Sequence, residues 1–304
     1  KKRKIYKIDY FIASEPTIGG VVCFFLKFFN KQNYIIEIQA EMTRISPKVI
    51  GWSKAKLFKF LTLFIAKHAF RVRAVSETVG QQLIEDGINP KKIRIITSRV
   101  KLDKFNFLDY QFASQEIREK YKIKKEEELF VFLGRLVVFK GVTYLLKALS
   151  IFDDVPYKLL IVGDGILRTE LENEVDKLGL REKVIFHGSV DFSEVPFFMA
   201  CADLMILPST DEGFPRVMLE AMAMKKLVAG SLVGGVRDIA SDGENGYFFP
   251  PQDPKAIAKT LQNIYKENKK KHCIENAYQL VIEKYEFEKS MIDYNKLLNE
   301  MIIS

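Results

Sequence analysis

The chain has 304 residues, of which 48% are hydrophobic and 28% are charged, which excludes a disordered protein and leaves room for about two domains. Its longest apolar runs are too short to span a bilayer and no cleavable signal pattern leads it, so we expect a cytoplasmic protein. Three separated cysteines exclude a disulfide framework, and three scattered histidines without an Asp-x-Asp pair offer no metal site.

Positive charge is concentrated in residues 1–112, which hold 21 Lys and Arg against 9 Asp and Glu, a net charge of +12. Nucleic acid is not the expected partner, because the sequence has no zinc-finger spacing, RNP-like aromatic pattern or helix-turn-helix. An anionic membrane surface on the inner face of a membrane is a candidate partner. The segment "GWSKAKLFKFLTLFIAKHAFRVRA" mixes Lys54, Lys56 and Lys59 with aromatic residues, as an interfacial helix does. An ordinary amphipathic helix explains the same pattern more simply.

Residues 1–112 are predicted to form a first α/β lobe with strands near "YFIAS", "YIIEIQ", "FRVRAVS" and "KIRIIT". So few strands would expose sheet edges, and the chain begins at Lys1, so we expect this lobe to lack its opening strands and their glycine-rich loop. A second lobe is predicted over residues 113–285. Residues 286–304 are predicted to form a helix that packs back toward the first lobe.

From residue 128 onward, short apolar runs alternate with helical patterns, as in a doubly wound parallel sheet. The predicted strands are "LFVFLG", "YKLLIVG", "KVIFHG", "ADLMILPS", "KLVAG" and "GYFFP". Their carboxyl ends are mostly Gly, Pro or Ser, so the loops that bind ligands in such folds begin there. The sequence therefore predicts an α/β protein with two doubly wound lobes and a ligand site in the second.

The stretch "DEGFPRVMLEAMA" sets two glutamates on either side of a predicted helix start at Pro215. Amides of that first turn can bind an anion. Glu212 precedes the helix and Glu220 lies more than a turn inside it, so the two carboxylates cannot bind the same ligand atom. The two carboxylates suit a ligand that has hydroxyl groups at two separate places and a negative charge between them, as a sugar nucleotide has. The alternative is that both glutamates are ordinary solvated side chains, which would show the same spacing.

The other strand-ending loops carry cations and glycines. In "FLGRLVVFKGV", Arg135 and Lys140 flank a helix entrance where two cations can reach a diphosphate. "IVGDGILR" is not a dinucleotide fingerprint, because Arg168 occupies its third glycine position. In "IFHGSV", backbone groups from Gly188 to Val190 can lie beside a base, whereas His187 is either a contact or an ordinary loop residue.

The ordered set "GRLVVFKG", "IVGDG", "VIFHGSV", "LPSTDEGFPRVMLEAMA" and "GSLVGGVRDIASDGENGYFF" resembles the donor half of retaining glycosyltransferase family 4, which has the two-lobed GT-B fold. The resemblance is dense over about residues 128–285 and loose over 8–112. It implies that Glu212 contacts the hydroxyls of the transferred sugar, that Glu220 contacts the ribose, and that Arg135 and Lys140 hold the diphosphate. It implies further donor contacts at Gly134, Gly163, Gly165, His187, Gly188, Val190, Gly213, Phe214, Pro215, Arg216 and Val217.

The sequence departs from the family pattern in the first lobe. Gln39 stands where relatives usually have a histidine that contacts the sugar, and "SRVK" stands where they often have "NGVD". Gln39 is therefore a predicted sugar contact. Because it replaces a histidine, we expect the protein either to prefer a different sugar hydroxyl or to have a lowered activity.

The resulting prediction is a retaining, metal-independent hexosyltransferase that needs no cofactor. It takes a nucleoside-diphosphate sugar as donor and a lipid-linked or cell-surface saccharide as acceptor, with the base and the hexose left open. Two alternatives remain: a catalytically weak sugar-nucleotide-binding subunit, and a GT-B epimerase, for which Glu41 is the candidate acid or base. A phosphorylase is less favoured, because no reactive lysine for its cofactor can be singled out.

Overall fold

The computed structural model of the chain describes residues 10–39, 52–97, 99–267 and 269–303. They form two compact units. The first comprises the described residues before Arg99 together with those from Glu288 onward, and the second runs from Arg99 to Phe287. The segment 99–112, which the sequence analysis assigns to the first lobe, is thus grouped with the second unit. Glu41 and Ser98 lie outside the described residues.

The first unit contains a four-stranded parallel sheet in the order β1-β2-β3-β4, with all four strands at the predicted places. All five residues of β2 are buried, as is typical of a parallel strand covered on both faces. The strands are β1 (Phe11–Ala13), β2 (Tyr34–Ile38), β3 (Arg71–Ala74) and β4 (Ile93–Ile95), and the helices are α1 (Ile18–Asn30), α2 (Trp52–His68) and α3 (Glu77–Glu85), followed by a 3-10 turn (Pro90–Lys92).

The C-terminal helix (Phe287–Ile303) contacts this sheet through buried apolar side chains and a partly exposed glutamate. Its Leu297 and Met301 pack against Ile35 and Ile96. Its Glu300 accepts a hydrogen bond from Arg71 Nε at 2.7 Å and from Arg94 Nη2 at 2.9 Å. Hydrogen bonds from both arginines hold the pKa of the Glu300 carboxyl below its usual value.

The second unit contains a six-stranded parallel sheet in the order β10-β9-β8-β5-β6-β7, and all six strands were predicted. The chain leaves β7 at one edge and re-enters the sheet at β8 beside β5, so the winding reverses between β5 and β8. The strands are β5 (Glu128–Leu133), β6 (Tyr157–Val162), β7 (Val184–Gly188), β8 (Leu204–Leu207), β9 (Leu227–Ser231) and β10 (Tyr247–Phe249).

Helices of the second unit connect and cover these strands. The helix Val142–Leu149 packs against the helix Pro254–Lys266, whose first turn is capped by the Asp253 side chain. The helices are α4 (Gln111–Lys120), α5 (Val142–Leu149), α6 (Arg168–Lys177), α7 (Val195–Ala200), α8 (Arg216–Ala223), α9 (Val236–Ile239), α10 (Pro254–Lys266) and α11 (Lys270–Leu280), with 3-10 turns at Phe107–Tyr110 and Val138–Lys140 and a π-helical turn at Val281–Tyr285.

The α/β class expected from the sequence, with a parallel sheet in each of two units, is confirmed. No helix among the described residues is both long enough and apolar enough to cross a membrane.

Candidate functional site

The candidate site lies at the carboxyl ends of β5 and β8, where the strand order of the second sheet reverses. Gly163 follows the neighbouring strand β6 and has a φ of +136°, and a Cβ built there would lie 1.9 Å from the carbonyl oxygen of Gly134. Its amide donates to the carbonyl oxygen of Gly188 at 2.7 Å. Only glycine fits this position, so the loops after β5, β6 and β7 are held in close backbone contact.

Two loops at the reversal point are tied together by backbone contacts. Gly141 ends the 3-10 turn with a φ of +67°, and a Cβ there would lie 2.0 Å from the carbonyl oxygen of Pro208. The amide of Thr210 donates to the carbonyl oxygen of Phe139 at 2.8 Å. The turn that carries Lys140 therefore has one position relative to the loop that carries Glu212.

This packing brings Lys140 and Glu212 together across 72 residues of sequence. Lys140 Nζ donates to Glu212 Oε2 at 2.6 Å, and Ser209 Oγ donates to the same oxygen at 3.3 Å. Ser209 is buried and the two charged side chains are mostly buried. The charges neutralise each other in this state, and each remains within reach of solvent and of a bound molecule.

Glu220 is the buried carboxyl of the site, with only 3% of its surface exposed. It lies on α8, and Arg216 Nη2 donates to its Oε1 at 3.3 Å. Burial raises the pKa of Glu220 to about 7, and the Arg216 guanidinium opposes that shift only in part.

A cavity of about 320 Å³ joins several of these groups. Among the residues predicted from the sequence, Gly134, Arg135, Gly163, Val190, Val217 and Glu220 line it. The guanidinium of Arg135 is exposed and lies 5.6 Å from the centre of the Phe139 ring. The predicted segment from Gly188 to Val190 includes Ser189, which also lines the cavity. The sequence analysis did not single out the other lining residues, which are Leu133, Val162, Asp164, Phe192 and Val195; of these, Asp164 and Phe192 belong to loops at strand ends and could have been included on that ground.

His187 has its side chain engaged elsewhere. Its Nδ1 forms a hydrogen bond with the Tyr121 hydroxyl, and its ring centre lies 4.5 Å from that of Phe198. Burial and the nearby Lys120 lower the pKa of His187 below its usual value. His187 lies within β7 and its side chain packs inside the second unit, so a donor contact by its backbone stays a prediction.

At the start of α8, most of the backbone amides that were expected to bind an anion already donate hydrogen bonds within the chain. The helix begins at Arg216, with Pro215 as its N-cap residue. The amides of Arg216, Met218 and Leu219 donate to the carbonyl oxygens of Phe214 and Pro215. In the part of the chain that the structure describes, this leaves the Val217 amide as the first-turn donor without a hydrogen bond.

The remaining predicted residues are placed as follows. Gly213, Phe214 and Pro215 are buried, with the Phe214 ring centre 5.6 Å from that of Tyr285. A Cβ on Gly165 would lie 2.4 Å from the carbonyl oxygen of Leu136, so this glycine permits a close loop contact. Gln39 belongs to the first unit, is exposed, and donates through Nε2 to the carbonyl oxygen of Ser14 at 3.1 Å.

Comparisons with known proteins bear on this site. The family model described as glycosyl transferases group 1 matches residues 113–280, which include every loop of the candidate site. A protein of Methanocaldococcus jannaschii named as the uncharacterized glycosyltransferase MJ1607 is 32% identical over 226 residues, which are 73% of this chain. The chain spans only 55% of that relative's length.

Two further similarities cover more of the chain. A GalNAc-alpha-(1->4)-GalNAc-alpha-(1->3)-diNAcBac-PP-undecaprenol alpha-1,4-N-acetyl-D-galactosaminyltransferase of Campylobacter jejuni is 32% identical over 284 residues, or 92% of this chain and 71% of that protein. The Anabaena protein HepE, solved in complex with UDP and glucose, superposes with a TM-score of 0.85 at 21% identity over 96% of this chain and 77% of that one. At that identity the superposition establishes the fold alone, and it confirms the GT-B fold class expected from the sequence.

Proposed function

The chain belongs to the glycosyl transferases group 1 family, and we propose that its second unit binds a nucleoside-diphosphate sugar and transfers the hexose to a saccharide acceptor with retention of anomeric configuration and without a metal ion. The observation that carries this proposal is the Lys140–Glu212 contact of 2.6 Å at the reversal point of the sheet. One cation and one carboxylate held side by side match a phosphate next to a sugar hydroxyl.

The donor is proposed to occupy the cavity and displace the Lys140–Glu212 contact. Lys140 and Arg135 then bind the diphosphate, and the free Val217 amide at the start of α8 adds a further donor for the same charge. Glu212, released from Lys140, accepts hydrogen bonds from the sugar hydroxyls. Glu220 accepts hydrogen bonds from the ribose at the buried wall of the cavity.

Transfer breaks the bond between the anomeric carbon and the diphosphate oxygen, and the acceptor hydroxyl attacks from the side that the diphosphate leaves. Negative charge grows on the departing diphosphate, and the hydroxyl proton passes to it. Because Lys140 and Arg135 are positioned before the reaction, they stabilise that charge in the transition state more than in the bound donor. This is the task that Mg²⁺ performs in other transferases.

The acceptor is proposed to be a saccharide on a lipid carrier or at the cell surface. The name of the Campylobacter relative describes an undecaprenol-linked saccharide, which supports the lipid-linked form. HepE was solved with UDP and glucose, which makes a uridine-type donor the first to try. An acceptor of this kind brings the protein to an anionic lipid surface on the cytoplasmic face of a membrane.

The proposal is tested by transfer in the presence of a chelator. The protein is incubated in EDTA with UDP-glucose, UDP-N-acetylglucosamine, UDP-N-acetylgalactosamine or GDP-mannose and an undecaprenyl-diphosphate-linked saccharide, and release of the nucleoside diphosphate and the product anomer are followed by NMR. We expect turnover that EDTA leaves unchanged and an α-linked product from an α-linked donor. Lys140→Ala and Arg135→Ala should each lower kcat by on the order of 10²-fold.

Lys147→Ala is the matched control for these variants, because Lys147 is half exposed on α5 and faces Glu174 at 3.9 Å rather than the cavity. It should turn over at the unaltered rate. Loss of activity in EDTA that Mg²⁺ restores, or full activity in both Lys140→Ala and Arg135→Ala, would contradict the mechanism.

One alternative has an observation in its favour. Gln39, in place of the histidine expected by resemblance, is consistent with a subunit that binds the sugar nucleotide and transfers slowly. Saturable binding of UDP without turnover of any donor in the panel would favour that subunit. The epimerase gains no support, because Glu41 lies outside the described residues.

A further inference from the structure

A second concave site lies at the carboxyl-terminal end of α8, and we call it the distal pocket. It has a volume of about 420 Å³ and is lined by residues of the segment 102–108, by Ala223 and Lys225 at the end of α8, and by Tyr278 on α11. All of them belong to the second unit. Among the residues that the structure describes, the distal pocket shares no lining residue with the cavity that contains Glu220. It is therefore a separate site, of a size that holds a small molecule.

Two aromatic rings supply apolar walls of the distal pocket. Phe107 and Tyr278 line it and are both partly buried. The ring centre of Phe107 lies 4.4 Å from Lys226 Nζ, and that of Tyr278 lies 4.3 Å from Lys225 Nζ. Each ring thus carries an ammonium group over one face, which holds the ring in place and leaves its remaining surface apolar. Such walls can pack against the C–H groups of a ligand.

Polar groups of three kinds border these rings. The carboxylate of Asp103 is exposed, and no hydrogen bond or ion pair engages it within the described part of the chain. Asn106 Oδ1 accepts a hydrogen bond from the backbone amide of Leu108 at 3.3 Å, so the Nδ2 group of Asn106 can donate elsewhere. Lys225 is exposed, and its Nζ lies 3.6 Å from Glu275 Oε2, in a pair that solvent weakens. The distal pocket therefore offers one acceptor and two donors to a ligand.

The backbone at Lys225 does not favour a lysine. This residue follows the end of α8 with a φ of +53°, a left-handed conformation that glycine adopts more easily. A glycine there would relieve the backbone and remove only an exposed ion pair, which contributes little to stability. What the lysine adds at this position is an ammonium group at the distal pocket.

We propose that the distal pocket binds a saccharide ring. A pyranose has an apolar face of C–H groups, which packs on aromatic rings, and a rim of hydroxyls, which both donate and accept hydrogen bonds. Asp103 accepts from such hydroxyls, while Asn106 and Lys225 donate to them. An anionic ligand is disfavoured, because the Asp103 carboxylate would repel it. The chain belongs to a family of glycosyl transferases, so saccharides are molecules that it meets. The inference goes beyond the proposed function, since it adds a saccharide site outside the cavity.

Ligand-observed NMR tests the distal pocket with free sugars. Glucose, N-acetylglucosamine, N-acetylgalactosamine and maltose are each titrated into the protein, and saturation-transfer difference signals give the Kd. We expect saturable binding of at least one of these sugars with a Kd on the order of 1 mM, since a small ligand makes few contacts. Lys225→Gly and Asp103→Ala should each weaken that binding by at least about tenfold, because each removes a charge-assisted hydrogen bond. Lys225→Gly should keep or raise the melting temperature, which shows that the variant is folded.

Matched controls separate the distal pocket from general effects. Lys122→Gly removes another exposed lysine with a φ of +53° that lines neither site, and it should leave sugar binding unchanged. Asp153→Ala removes an exposed carboxylate that lines neither site and should also leave sugar binding unchanged. Sugar binding should persist in saturating UDP and in Glu212→Gln, because both changes concern the proposed donor site.

Absence of saturable binding by all the sugars would overturn the proposal, as would wild-type binding by Lys225→Gly or by Asp103→Ala. Displacement of the bound sugar by an equal concentration of inorganic phosphate would overturn it in favour of an anion site. Sugar binding that Glu212→Gln abolishes and Lys225→Gly preserves would overturn it in favour of the donor site. UDP titration keeps the two proposals apart. UDP binding without sugar binding overturns the distal pocket alone, and sugar binding without UDP binding overturns the donor site alone.

Discussion

Glu220 is a carboxyl whose burial costs free energy whenever it is ionised. Its pKa of about 7 exceeds the ordinary value of 4.5, so between these two pH values the unfolded chain ionises this group while the folded protein keeps it protonated. The contribution of Glu220 to stability is therefore full below about pH 4.5, is lost as the pH rises toward 7, and stays lost above it. Such a cost is typical of a group kept for binding.

Glu220→Gln should show this dependence in the free energy of unfolding. The variant cannot ionise, so its stability relative to wild type should rise between pH 5 and pH 8, as measured by urea denaturation at both pH values. Glu182→Gln, which alters an exposed carboxyl, is the control and should keep a constant difference. A Glu220→Gln difference that stays constant, or that falls as the pH rises, would contradict the burial argument.

At the scale of single residues, the sequence pointed to candidate site residues but to little of the geometry between them. Arg135, Lys140 and Glu212 could be chosen because they lie in loops that follow predicted strands. Glu220 could be chosen from its spacing to Glu212 and from the family resemblance. The contact between Lys140 and Glu212 could not, because it depends on the approach of Gly141 to Pro208. The partner of His187 was likewise hidden, since Tyr121 follows the end of α4 and is 66 residues away in sequence.

At the scale of elements, the loops after parallel strands are held by glycine contacts that admit no side chain. Gly163→Ala tests this, because its Cβ would lie 1.9 Å from the Gly134 carbonyl oxygen at a φ of +136°. We expect a loss of about 3 kcal/mol or more in the free energy of unfolding, together with weakened UDP binding.

Gly179→Ala is the control for that substitution. Gly179 also has a positive φ, +69°, but a Cβ there meets nothing within 4 Å. It should cost only about 1 kcal/mol, the price of the backbone conformation itself. Equal losses in the two variants, measured by urea denaturation, would show that the contact with Gly134 contributes nothing.

The elements themselves were largely predictable from the sequence. The strands of both sheets appear as apolar runs because parallel strands are buried on both faces. Helix α1 was not singled out, since an apolar run such as "VVCFFLKFF" is equally consistent with a buried helix. The side of α1 that packs against Ile65 is not fixed by periodicity alone.

At the scale of the whole molecule, charge and binding chemistry are divided between the two units. The first unit, residues 1–98 and 288–304, holds 20 Lys and Arg against 10 Asp and Glu, a net charge of +10, which leaves 27 against 29, or −2, for residues 99–287. The exposed lysines of α2 belong to the first unit. The cavity with Arg135 and Glu220 belongs to the second. Because these features lie in separate units, changes to the lysines of α2 should leave nucleotide binding at the cavity unaltered.

The central claim is that the cavity of the second unit binds a nucleoside diphosphate, and that Glu220, which lines the cavity, and Glu212, which lies outside its lining, have different tasks. Calorimetric titration of UDP in EDTA at pH 8, above the pKa of Glu220, tests it most directly. We predict saturable binding to wild type, binding at least about tenfold weaker to Glu220→Gln, and nearly unchanged binding to Glu212→Gln, whose proposed contacts are to the sugar. Absence of saturable binding, or an equal loss of affinity in the two variants, would contradict the account.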